Sequence, residues 1–509
     1  MNSAIGAGHT LDRPAIDRLR AGLIGLVVAG LAAVFQPVLA QSVQAGDGTS
    51  PLEIFIKSYI DEWGQPPKSD PNAPPSRWPT TMLPPQPQTT PPYPFTEWPF
   101  GGASAIGATV PNSQGGALMK VLAPTDFGKW LKSNNVEIYG WINAGGNLST
   151  ATTPHKNANF PAAYMYWADT VQLDQAVLYI ERLPNTVQRE HIDWGFRVSA
   201  LYGENYRYTQ SLGIATYQYQ QLNNFAGYDF PMMYGEIYIP WIAQGALIRF
   251  GRFISVPDIE AQLAPNNYMY SHSFTYGYDN YTNTGVNVAV QLNKNWMVQV
   301  GILDGTEVAL WVPRKQDPGK QPTLEACIRW VSNSAYDSVY VCADGINNGT
   351  WGYNNLQWYG FTYYHKFDER WHLSFESYHM HQNNVLDVSQ GYAGTPWATM
   401  RNPPFEAHCK VGQTQCTASE WTYLAYLNYK FSPMDNISWR VELYDDHNGQ
   451  RTVFATRYLN HAVGWQHWFS PSVVFRPEIA WYRSLDTDAF DNAKNDRLTV
   501  VSADIIWKF

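Results

Sequence analysis

From Val136 to Phe509 the chain is written in short runs in which apolar and polar side chains alternate. In IDWGFRVSA, Ile192, Trp194, Phe196 and Val198 share one side, with Asp193, Arg197 and Ser199 on the other. ISWRVELY sets Ile437, Trp439, Val441 and Leu443 against Ser438, Arg440, Glu442 and Tyr444, and VVFRPEIAW sets Val473, Phe475, Ile479 and Trp481 against Arg476 and Glu478. A period of two is that of a β-strand, whose successive side chains point to opposite faces. About fourteen such runs follow one another, most of them near the ~9–11 residues of a tilted membrane-spanning strand. Their links alternate: LPNT, IAQG, NKN, FDE, SPMDN and SPS are tight, while the intervening ones are mostly long, aromatic and rich in Gly or Asn. Short turns at one end and long loops at the other predict an all-β transmembrane antiparallel barrel of about 14 strands (12–16), apolar outside and charged within. A soluble sandwich would alternate too, but without that asymmetry between its ends. An even strand count leaves both chain ends on the short-turn, periplasmic side. Pro477, inside a strand, predicts a bulge or a locally weakened ladder because it lacks an N–H.

The first forty residues read differently. Arg18 and Arg20 precede the apolar run AGLIGLVVAGLAAVF, and PVLA offers small residues at a cleavage site, so 1–40 is expected to be a signal peptide and Gln41 the mature start. Residues 41–134 follow as a periplasmic segment. SPLEIFIKSYIDEWG has Ser50 as N-cap, Pro51 at the first helical position and Glu53 completing a capping box. Leu52, Phe55, Ile56, Tyr59, Ile60 and Trp63 form an apolar stripe at helical spacing, expected to pack on the barrel or a neighbouring subunit. A Pro-rich stretch from QPPKSDPNAPPSRWP to PPQPQTTPPYPFTEWPF predicts an extended tether, and PTDFGKWLKSNN a short helix. The barrel proper is assigned to 135–509.

Composition sharpens this picture. Of 509 residues, 15% are aromatic and only 15% charged, which suits β structure at a lipid interface. The net charge of −9 is diffuse and no basic patch is present, so nucleic acid is not an expected partner. The four cysteines make two local pairs, Cys327 with Cys342 and Cys409 with Cys416, each expected to close one loop as a disulfide in an exported chain. No Cys/His zinc spacing occurs, and His379 with His381, two apart on one strand face, lacks a third ligand; neither metal nor cofactor is expected. No G-x-S-x-G elbow suggests a hydrolase, and the expectation is that the chain is not an enzyme.

The blocks VQLDQAVLYIERLPNTVQREHIDWGFRVSALYG and GRFISVPDIEAQLAPNNYMYSHSFTYGYDNYTNTGVNV resemble the OmpL-like β-barrel porin family of Gram-negative bacteria. That resemblance implies an outer-membrane porin for passive diffusion of small hydrophilic solutes, and brings no catalytic residues. The other reading is a surface or structural barrel, plugged inside, whose loops bind a partner. Strand phase assigns Asp193, Arg197, Glu236, Arg249, Glu376, Lys430, Arg440, Glu442, Arg476, Glu478 and Asp504 to the lumen. In the general porins, to which the layout is similar, the third long loop folds inward and sets carboxylates opposite arginines; Asp258 and Glu260 would be those carboxylates, facing Arg440, Arg476 or Arg197. Tyr268, Tyr270, Phe274, Tyr276 and Tyr278 of the same loop would pack within it or stack on sugar rings. The closing strand, with Trp507 and Phe509 on its apolar side, resembles the C-terminal signal read by the barrel-assembly machinery. Outer-membrane lipid and lipopolysaccharide complete the expected surroundings; no stretch marks a subunit interface, so homo-oligomerisation stays open.

Overall fold

The computed structural model describes residues 50–66, 76–78, 106–108, 115–153, 157–255, 258–309, 312, 317, 319–351, 354–391 and 406–509. The expected signal peptide and most of the tether lie outside the described residues. The alternating runs form β1 (Glu137–Ser149), β2 (Val171–Arg182), β3 (Asp193–Gly203), β4 (Gly227–Asp229), β5 (Met233–Ile239), β6 (Ala246–Ile254), β7 (Thr282–Gln291) and β8 (Trp296–Thr306). They continue through β9 (Thr323–Val331), β10 (Asp337–Ile346), β11 (Gln357–Lys366), β12 (Trp371–Leu386), β13 (Gln415–Ser432) and β14 (Asp435–Asp446) to β15 (Thr456–Ser470), β16 (Val473–Ser484) and β17 (Arg497–Lys508). Each pairs antiparallel with its neighbours, and β1 pairs with both β2 and β17, so the sheet closes into a barrel without edges. Short β4 and β5 both lie along β3 and act as two halves of one strand interrupted at Pro231, which makes sixteen staves of the seventeen strands.

Sixteen exceeds the fourteen runs by one hairpin, β9 with β10. Its alternation is regular: Leu324, Ala326 and Ile328 face out, while Thr323, Glu325 and Cys327 are buried. The disulfide Cys327–Cys342 is correspondingly not inside a loop. It joins directly opposed residues of these two strands, with the Cα atoms 4.1 Å apart. Cys409–Cys416 ties the loop before β13 to the start of that strand. An added hairpin leaves the parity of the barrel intact, and its short turn belongs to the same end as the other tight turns. At Pro477 the ladder to β15 lapses between Gly464↔Glu478 and His467↔Phe475 without a change of register, while the ladder to β17 continues as Pro477↔Ala503. The result is a weakened ladder rather than a bulge.

Phase decides the solvent on each side. Ile142, Trp194, Phe250, Val300, Phe361, Trp439, Trp481 and Ile505 are among the large apolar side chains exposed around the outside. Val463, halfway along β15, is one of them. A Val463→Arg substitution places a charge near the lipid midplane and is expected to cost about 2–4 kcal/mol. Urea titration of the protein folded in vesicles reads this as a lower unfolding midpoint.

Before the barrel come α1 (Pro51–Glu62), α2 (Ala117–Leu122) and α3 (Asp126–Ser133). Ser50 caps α1 by accepting from the Glu53 N–H at 3.1 Å, and Thr125 caps α3 by accepting from the Gly128 N–H at 3.0 Å. The apolar stripe of α1 is only partly covered. Tyr59 packs edge-on against Trp507 and donates to the Lys508 carbonyl at 2.8 Å, while Trp63 stacks on Phe469. Leu52 and Ile60, by contrast, are 67% and 68% exposed. The helix therefore rests on the short-turn rim, beside the β15–β16 turn and the closing strand. Glu62, at its end, accepts from Lys120 of α2 at 2.8 Å and from Ser472 of that turn at 3.0 Å.

Candidate functional site

The inward face of the barrel is polar at nearly every second residue, and it is filled. Ten of the eleven charged residues assigned to the lumen are buried, and Lys430 is half-buried. Much of the space is taken by the link between β6 and β7, described at 255 and 258–281, which leaves the wall and crosses the interior with the β1–β2 link packed against it. Counted around the ring, its roots lie opposite β14 and β15, and the loop is tied to that far wall.

The ties are charge-assisted hydrogen bonds from wall to loop backbone. Glu442 on β14 accepts from the Phe274 and Thr275 N–H groups at 3.0 and 2.6 Å and from the Thr275 hydroxyl at 2.7 Å. It thereby caps the short helix α4 (Phe274–Gly277), whose own N-cap Ser273 accepts from the Tyr276 N–H. Arg440, two residues earlier and so on the same face, donates to the Ser271 carbonyl and hydroxyl, both at 2.8 Å. Arg476 on β16 donates to the Ala264 and Asn267 carbonyls at 2.8 and 3.0 Å, and Glu478 accepts from the Ser271 N–H at 3.0 Å. Gln175 on β2 holds the Gln262 carbonyl and accepts from the Ala264 N–H. A register shift in the β1–β2 ladder at this point leaves Asp174 without a partner on β1 and turns both Asp174 and Gln175 inward, as a bulge does. Tyr270 approaches β1 at Gly145, where an added Cβ would run into its ring and the Asp174 carboxylate, so the glycine lets the loop tyrosine come close to the wall.

The two expected loop carboxylates behave differently. Glu260 accepts from Arg440 at 3.3 Å, from the Ser273 N–H and hydroxyl at 2.9 and 2.6 Å, and from the Tyr426 hydroxyl. It meets its arginine in direct contact rather than across a gap. Asp258 meets no arginine; its neighbours are Asp279 and Glu376. The remaining arginines pair along the wall: Arg197 with Glu181 at 2.5 Å, Arg249 with Glu236 at 2.7 Å, Arg252 with Asp229 at 2.9 Å and Arg476 with Asp504. Asp193 stands at the turn end, where it accepts from Arg182 and from the Asn185 N–H. Each pairing places opposite charges within hydrogen-bond reach, so the fields of these pairs largely cancel at a distance.

Sequence reasoning overlooked Arg252, Glu181, Asp229, Asp174 and Asp279. Glu181 continues the inward phase of a strand already recognised, so the alternation itself could have found it, whereas Arg252 falls out of phase with Arg249 and Asp229 lies on the short β4. Asp174 required the bulge and Asp279 the return path of the loop, neither of which has a local signature. The loop aromatics pack rather than project. Phe274 lies against Tyr444, Tyr458 and Tyr482, Tyr268 against His372 and Tyr426, and Tyr278 against Tyr444. His379 and His381 are on the outward face of β12, where His379 stacks on Trp421.

Comparison with solved structures returns other barrels. The anion-selective porin from Comamonas acidovorans is 10% identical over 74% of this chain and 99% of its own, with a TM-score of 0.47. The outer membrane channel DcaP of Acinetobacter baumannii is 11% identical over 74% and 97%, at 0.44. The trimer form of OmpT from Vibrio cholerae is 9% identical over 74% and 99%, at 0.42. No curated protein matches the sequence. The family described as "Putative beta-barrel porin-2, OmpL-like" matches residues 135–509. That span runs from just before β1 to the terminal Phe509, and with the closed sixteen-stave wall it makes this chain a member of that family, an outer-membrane porin.

Proposed function

We propose that the chain forms a narrow water-filled passage, divided by the inward loop, through which small hydrophilic solutes cross the Gram-negative outer membrane by passive diffusion. The observation that carries this reading is the polar lumen of a sixteen-stave barrel crossed by the β6–β7 loop. A barrel of that width leaves room for an aqueous channel, and one loop narrows it. Among the described residues, buried side-chain atoms at Asp174, Glu204, Glu420, Tyr444 and Glu478 have no protein hydrogen-bond partner. Leaving such groups dry costs about 1–3 kcal/mol each, which favours a hydrated interior. With five arginine–carboxylate pairs cancelling locally in the lumen, weak ion selectivity belongs to this reading.

In the same reading residues 1–40 direct export and are removed, and 41–134 is a periplasmic segment. The apolar side of β17 with Trp507 and Phe509 is recognised by the barrel-assembly machinery, and the barrel rests among lipid and lipopolysaccharide. Asp258 and Glu260 form the constriction. The test is reconstitution of the full mature chain in planar bilayers. Discrete conductance steps are expected, with a reversal potential near zero in a salt gradient. The double variant Asp258→Asn, Glu260→Gln shifts that potential toward anion preference, most clearly at low salt where screening is weak. Folded protein that gives no steps removes the porin reading, and an unmoved reversal potential removes the constriction.

A further inference from the structure

Both ends of the inward loop return to one place on the wall. Asp258 lies at its start, Asp279 near its finish, and Glu376 projects inward from β12; one carboxylate oxygen from each lies within 4.8 Å of the other two. All three side chains are buried, with relative exposures of 7%, 7% and 0%. Two of the three are part-satisfied by backbone: Glu376 Oε2 accepts from the Ile259 N–H at 2.8 Å, and Asp279 Oδ1 from the Asn280 N–H at 2.6 Å. Among the described residues, the oxygens left over, Asp258 Oδ1, Asp279 Oδ2 and Glu376 Oε1, meet no donor from outside the cluster. Among the described residues no basic side chain makes an ion pair with any of the three. Glu181, Asp229, Glu236, Glu260 and Asp504 of the same lumen each have an arginine instead.

We propose that Asp258, Asp279 and Glu376 form a calcium site that clamps both roots of the loop to β12. Two carboxylates ~4 Å apart repel by about 4 kcal/mol even at an effective dielectric of 20, so three turned toward one point need a positive charge between them. Oxygen-only ligands select a hard cation. Ca²⁺ binds oxygens at roughly 2.4 Å in flexible geometry, so ligand atoms up to about 4.8 Å apart share one ion, whereas Mg²⁺ demands a tighter octahedron. Water fills the remaining positions. The backbone bonds to Glu376 and Asp279 orient these carboxylates before an ion arrives. The site closes the loop into a ring at its base, and its ligands come from outside the Arg440 and Glu442 ties that hold the tip.

The test uses the folded full mature chain in detergent micelles, stripped with EDTA and dialysed. Calorimetric titration with CaCl₂ is expected to give one Ca²⁺ per chain, and Tb³⁺ to give luminescence excited through the loop tyrosines and displaced by Ca²⁺. Ca²⁺ raises the unfolding temperature of the wild type. Asp279→Asn and Glu376→Gln each weaken binding about tenfold or more, as expected for loss of a charged ligand, and their unfolding temperatures no longer respond to Ca²⁺. Wild-type protein that is folded, by its heat-modifiable gel migration, yet binds neither Ca²⁺ nor Tb³⁺ at millimolar concentration overturns the site and leaves the carboxyls to share protons. Binding that survives both substitutions overturns it as well. Because binding is read without current flow, its failure leaves the porin reading untouched, and a silent bilayer leaves the calcium site untouched.

Discussion

Replacing Glu442 by alanine is expected to enlarge the conductance steps. Its carboxylate receives three donors from the tip of the inward loop and a fourth from Asn460 at 2.8 Å. Hydrogen bonds to a charged group contribute about 1.5–3 kcal/mol each, so no other single residue holds so much of the tip. Without it the Phe274 and Thr275 N–H groups lose their partner, α4 loses its cap, and the tip leaves the far wall. A sixteen-stave barrel without its crossing loop is an open channel, and the unitary conductance should rise on the order of twofold or more, with added current noise as the loop moves. Glu442→Gln keeps the shape and one acceptor, and should give a smaller rise. Equal steps from wild type and Glu442→Ala would mean that current does not pass beside this loop.

Arg476→Ala carries the largest expected loss of stability. Its guanidinium pairs with Asp504 on the neighbouring strand and donates to two loop carbonyls, all buried. Removing one member of a buried pair strands the other, at a cost of about 3–5 kcal/mol. The unfolding temperature, followed by the shift in gel migration on heating, should fall accordingly. Arg476→Met with Asp504→Leu removes both charges and keeps most of the volume, and should recover much of the loss. A double variant as unstable as the single one would place the effect in the lost loop carbonyls instead.

Much of this architecture was legible from the alternation alone, because a barrel wall repeats one physical demand at every stave: lipid outside, polar lumen inside. The phase of β3, β14, β16 and β17 follows directly from where Trp194, Trp439, Trp481 and Trp507 fall. The hairpin β9–β10 obeys the same pattern, and was passed over because its cysteines suggested a loop staple when they are a rung between strands. The stripe of α1 was legible as a stripe, but not which edge of it would be covered: Phe55, Tyr59 and Trp63 meet aromatic or apolar partners, while Leu52 and Ile60 stay exposed. The inward loop could be placed by its order in the chain. Its partners could not, since Glu260 finds Arg440, and Asp258 finds Asp279 and Glu376, through a path that crosses the barrel rather than through any spacing in the sequence.

The same crossing has a mechanical side. A barrel wall is one backbone thick, and a thin hollow cylinder of this width ovalises readily when squeezed from the side. The loop springs from β6 and β7 and is fastened to β14 and β16 across the diameter, so it works as a tie rod inside the cylinder. Lateral pressure from the bilayer is then met by hydrogen bonds within the protein instead of by bending of the strands, and the bore keeps one shape as lipid composition and tension around it change.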